Sequence, residues 1–220
     1  MDARWLRNIK RTGKLSIFPG SSLTASWAKV FSDALQEFNK LSSTLSLGVT
    51  LTSGVTEGPP TSALTGTNVH LEATDKARTF DSWLGPVTIA IGGSSTSGRT
   101  KSPISLSIGR IGQSFICVPL TPQVLAPGAK LREAGDPIKL VILVHEFIHA
   151  CGLDDHTSMR DPDLFIAALS DVPDADPAKD KEDVGSGKKV PPLFFANETV
   201  TRIQKLWLVP DPVIHIPHTF

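Results

Sequence analysis

DPIKLVILVHEFIHACGLDDH, residues 136–156, is the stretch on which the fold turns. Asp136 can cap a helix, Pro137 suits a first helical turn, and the next thirteen or so residues are apolar almost all round until Gly152. The β-branched content would also permit a strand, but the Asp-Pro start, the glycine stop and the length predict a buried central helix. On it His145 and His149 stand a little more than one turn apart, so both imidazoles leave the same face and can grip one metal ion, each at about 2.0–2.1 Å for zinc. Glu146 is offset around the helix, where its carboxylate reaches a water beside the ion without occupying a ligand position. Two imidazoles and a carboxylate among Val141, Ile142, Val144 and Ile148 cost several kcal/mol to bury unless a metal or hydrogen bonds compensate them. Gly152 can adopt the left-handed conformation that ends a helix and turns the chain back, and Asp155 and His156 follow at once.

Nearer the N-terminus, KLSIF at 14–18 reads as a short strand broken by Pro19 and Gly20, with Ser22 or Thr24 placed to cap the next helix. That helix, TASWAKVFSDALQEFNKLS, sets Trp27, Val30, Phe31, Ala34, Leu35, Phe38 and Leu41 on one stripe, as expected of a helix covering a sheet. Strands are predicted at 45–52, 68–73, 86–92, 103–108 and 113–118, divided by Gly, Ser, Thr and Pro clusters. The segment 170–190 mixes acids, lysines, Pro and Gly and reads as a solvated loop without the ligand spacing of a calcium site. NETVTRIQKLW at 197–207, with an Asn197 cap and Val200, Ile203, Leu206 and Trp207 on one face, reads as a closing helix.

The expected fold is therefore α+β: a twisted mixed sheet with a covering helix, a central helix carrying the site, and a smaller C-terminal lobe with its closing helix. One domain spans 1–220, with 1–152 as the sheet lobe and 153–220 as the C-terminal lobe. Lys plus Arg and Asp plus Glu number 22 each, and no basic cluster interleaves with aromatics, which argues against nucleic acid as a partner. No apolar run approaches a membrane span, and the basic N-terminus lacks the apolar core of a secretion signal, so the chain reads as soluble. Cys117 and Cys151 are too sparse for a disulfide framework and read as buried thiols. His70, in a predicted strand, and His215 and His218, in a Pro-rich tail, read as structural or exposed. Nothing in the sequence specifies an oligomeric state.

HEFIHACGLDDH resembles the H-E-x-x-H-x-x-G-x-x-H/D signature of metzincin zinc peptidases. NETVTRIQKLW is similar to the last helix of matrixin catalytic domains, and the order of helix, strands, site helix and closing helix follows theirs. The resemblance implies Zn²⁺ held by His145, His149 and a third ligand, with Glu146 as general base. Spacing puts that third ligand at Asp155, as in snapalysin-like peptidases, where the next residue is also His. Imidazole is the commoner third ligand, and with one residue inserted beforehand DHTSMRDPD is similar to the matrixin sequence after its third histidine, which points to His156. Either is sound zinc chemistry, and the other then orients a ligand from outside. The family's Met-turn is not met cleanly, since Met159 comes early and Val190 stands nearer the usual place; the absence of Tyr removes a phenolic oxyanion donor. The activity implied is hydrolysis of peptide bonds in a peptide or protein substrate lying along an exposed strand edge, with the strand around Phe115 to Pro119 as the candidate. Two rival readings are a non-catalytic zincin-fold component of a larger assembly and a zinc hydrolase of cell-wall peptides.

Overall fold

The computed structural model describes residues 1–23, 27–91, 98–126, 130–154 and 193–211. Its central sheet has five strands: β2 (Lys14–Pro19), β3 (Thr50–Ser53), β4 (Val69–Ala73), β7 (Arg99–Lys101) and β10 (Ser114–Val118), in the order β3-β2-β4-β10-β7. The pairs from β3 to β10 are parallel and β7 joins antiparallel at the edge. The strand around Phe115 is therefore interior, not the exposed edge expected from sequence. Every residue of β10 is buried, because both of its faces are covered.

Alternation along the strands sorts the side chains. Leu15, Ile17, Val69, Leu71, Ile116 and Val118 join the main core with helices α2 (Ala28–Thr44) and α3 (Asp136–Ala150), while Phe115 and Cys117 meet Phe80, Ile89 and Ile91 in a second cluster. This second cluster lies beneath the hairpin of β5 (Arg78–Ser82) and β6 (Gly85–Ile89). The covering helix begins later than its apparent caps suggested. Ser22 sits in a single 3-10 turn, and its hydroxyl oxygen accepts from the Ala73 amide at 3.0 Å, so it bonds β4 instead of α2; Thr24 lies outside the described residues.

Other strand expectations shorten. Leu47 and Val49 are buried, yet Ser46 (φ 52°) and Gly48 (φ 80°) turn the chain there, and pairing starts only at Thr50. The predicted 103–108 strand survives as β8 (Ile104–Ser105), which pairs with β9 (Arg110–Ile111); β9 in turn pairs with β1 (Arg4–Trp5), which leads into the short helix α1 (Arg7–Thr12). A last hairpin joins β11 (Gln123–Ala126) and β12 (Lys130–Glu133).

Helix α3 starts after an extended Gly135, so Asp136 lies inside the first turn and complements the helix dipole instead of capping. Its far end stops at Gly152, whose φ of 112° is open to glycine and where an added Cβ would stand 2.3 Å from the Ala3 carbonyl oxygen. Helix α4 (Asn197–Trp207) is preceded by Ala196 at the cap position, not Asn197, and adds Ile203, Leu206 and Trp207 to the main core. The fold is thus mixed α+β with few helices. Among the described residues, no helix is long and apolar enough to cross a membrane.

Candidate metal centre

His145 and His149 project from the last turns of α3, and their Nε2 atoms stand 3.0 Å apart. The imidazoles meet edge to face, with ring centroids 4.8 Å apart. His149 Nδ1 lies 2.9 Å from the Leu153 carbonyl oxygen. A carbonyl can only accept, so Nδ1 carries the proton and Nε2 presents its lone pair toward His145. With the His149 ring neutral, a proton on His145 Nε2 or a shared cation can lie between the two nitrogens at this distance. Two ligands of one tetrahedral zinc ion, each at about 2.0–2.1 Å, stand about 3.3–3.4 Å apart, so the pair fits an ion after a few tenths of an ångström of adjustment. A backbone carbonyl fixing the second imidazole nitrogen is the usual support of a histidine ligand.

Asp155 and His156, the alternatives for the third ligand, lie outside the described residues, as do Met159, Val190, His215 and His218. Among the described residues, no group of three His, Cys, Asp or Glu side chains is placed to hold an ion together.

Glu146 is buried, and its Oε2 accepts a 2.6 Å hydrogen bond from Thr100 Oγ1 on the edge strand β7. Gly98, just before that strand, gives it room: a Cβ there would stand 2.7 Å from Glu146 Cγ and 2.9 Å from Oε1. Burial pushes the Glu146 carboxyl up to about 7, against the opposing pull of the Thr100 hydrogen bond and the Arg99 charge. A divalent cation beside it would draw that value down again. Neither Gly98 nor Thr100 carries a sequence signal, since only the sheet brings them to α3.

Comparison of the chain with protein-family models, with curated proteins and with solved structures gave no match. Beside His149 opens a cavity of about 460 Å³, lined by Val87 and Thr88 of β6, Thr100 and Lys101 of β7, and Ile104 and Ile111 behind them. Thr100, which lines this cavity from the edge strand, is also the residue that donates to Glu146.

The remaining candidates belong to the scaffold. His70 Nε2 is 3.3 Å from Glu72 Oε1, and Arg78 grips the same carboxylate through Nε (2.7 Å) and Nη2 (3.1 Å). Burial, with the Arg78 charge, holds His70 below its usual range despite Glu72. Cys117 and Cys151 are buried free thiols. Burial and the Glu72 charge push Cys117 up to about 12, and burial alone pushes Cys151 higher, so neither offers a thiolate ligand near neutrality.

Proposed function

We propose that this chain is a zinc-dependent endopeptidase of metzincin type, with His145 and His149 as metal ligands and Glu146 as general base. The observation that carries the reading is the convergence of the two imidazole Nε2 atoms at 3.0 Å, with His149 locked in the metal-binding tautomer by Leu153. Asp155 or His156 would complete the ligand set. When bound, the ion acts as a Lewis acid that polarises the scissile carbonyl and acidifies the attacking water.

The protein's own groups supply the rest. Glu146, held between Gly98 and Thr100, takes the proton from the attacking water at a carboxylate oxygen and returns it to the departing amine nitrogen as the C–N bond breaks. Burial raises this carboxyl and a neighbouring cation draws it back, so it serves as a base at neutral pH and can still return the proton. The substrate is an extended peptide lying along the edge strand β7, with a side chain entering the cavity beside His149. The apolar Val87, Ile104 and Ile111 and the polar Thr88 and Thr100 along that cavity suit a large, partly apolar side chain.

Glu146→Gln is the direct test. It should keep bound zinc and lose peptide hydrolysis by about 10²–10⁴-fold or more, measured on a quenched-fluorescence peptide library. Unchanged turnover would remove Glu146 from the chemistry. Bound zinc with no hydrolysis by the wild type would favour a binding component, and digestion of peptidoglycan but not of denatured protein would favour the cell-wall reading.

A further inference from the structure

The last carbonyls of a helix have no partners within it and usually turn to water or to a glycine cap. At the end of α3 the Phe147, Ile148 and His149 carbonyls are taken by the Cys151 and Gly152 amides, and the carbonyls from Ala150 onward by donors that include both ends of the chain. Trp5 Nε1 donates to the Ala150 carbonyl oxygen at 2.9 Å, and Trp207 Nε1 donates to that of Cys151 at 2.9 Å. The Ala3 amide donates to the Gly152 carbonyl oxygen at 2.9 Å, and the next carbonyl, Leu153, receives His149 Nδ1–H. One residue on, the Asp154 amide donates to Asp2 Oδ1 at 3.3 Å, and Asp2 is itself paired with Arg202 of α4, whose Nε lies 2.7 Å from Oδ2. Both indoles are buried, at 1% and 5% exposure, so water is poorly placed to replace them.

From this chain of contacts we propose that Trp5 and Trp207 are positioning residues of the metal centre. By fixing the Ala150 and Cys151 carbonyls they set the turn through Gly152. That turn sets the Leu153 carbonyl, which holds His149 with Nε2 facing His145. The two indole N–H groups bond the backbone and act through it. The proposal extends the metal reading above, but its first readout needs no metal.

The experiment compares wild type with Trp5→Phe and Trp207→Phe, each of which keeps an aromatic ring and removes the N–H. Trp27→Phe serves as control, because Trp27 Nε1 makes an equally buried bond, to the Pro119 carbonyl oxygen at 3.1 Å, and packs by Lys139 at the opposite end of α3. Side-chain ¹⁵N–¹H correlation spectra of the metal-free proteins report the His149 tautomer. Wild type and Trp27→Phe should show His149 protonated at Nδ1, and the two helix-end variants a mixture. Zn²⁺ affinity by competition with a chromophoric chelator should fall about 10–100-fold in those two variants only, the usual size of outer-shell effects. An unchanged tautomer and unchanged affinity in both would overturn the proposal, as would a wild-type His149 protonated at Nε2, an outcome that stands even if a variant fails to fold. Wild type that binds no Zn²⁺ yet shows the tautomer shift would sink the metal reading and leave the positioning role supported.

Discussion

A carboxyl buried against Gly98 and Thr100 stands close to half-protonation at neutral pH, and its behaviour separates two effects. In the metal-free protein the folded value of about 7 exceeds the ordinary 4.5, so between those limits the unfolded chain has released a proton that the folded chain retains. Stability must therefore fall as pH rises from 4.5 to about 7. Urea unfolding in the presence of a chelator should show wild type losing about 2–3 kcal/mol more than Glu146→Gln across that window. Equal losses would contradict the burial argument. Thr100 acts in the other sense: its hydroxyl favours the carboxylate, so Thr100→Val raises the Glu146 value further. The acid limb of the kcat/KM profile should move up by about one pH unit, worth about 1.4 kcal/mol. The shared face of His145 and His149 was legible from sequence, because helix geometry alone puts residues four apart on one face. Thr100 was not, since it reaches Glu146 across 46 residues of chain.

At the level of elements, the end of α3 is set by one backbone angle. Gly152→Ala places a side chain at φ 112° and 2.3 Å from the Ala3 carbonyl oxygen, so β1 or the turn must shift. A loss of about 2–4 kcal/mol in chemical denaturation is expected, with Gly152→Ser no better. Helices α3 and α4 could be read from sequence within a residue or so, because a proline start, a glycine stop and an apolar stripe are local signals. Strands were read less well. The apolar run at 45–49 looks like β structure, but Leu47 and Val49 are buried in a turn that Gly48 makes possible. Two-residue strands such as Arg4–Trp5 have no periodicity to detect and exist only through their partners.

On the largest scale, Asp211 joins the Asp2–Arg202 pair in holding the N-terminal segment against the C-terminal helix. Asp211 receives Arg110 Nη2 at 2.9 Å, Arg4 Nη1 at 3.2 Å and Lys10 Nζ at 3.4 Å. Partial burial raises its value, but Arg110 and Lys10 outweigh this and hold it below the usual carboxylate range. Its stabilising charge is therefore present at neutral pH and is lost as pH falls below 3.8 toward the depressed folded value. Asp211→Asn should lower the melting temperature at pH 7 and close that gap with wild type in strong acid; a gap that widens in acid would contradict the assignment. This clamp matters to the site because β1 and α4 carry the indoles that hold the end of α3. All of this framework serves one proposed ion, shared by His145 and His149. Metal content by mass spectrometry after exhaustive dialysis, compared for wild type, His145→Ala and His149→Ala, addresses it most directly. The expected result is one zinc per wild-type chain and near-complete loss in both variants; equal metal in all three proteins, or none in any, would contradict it.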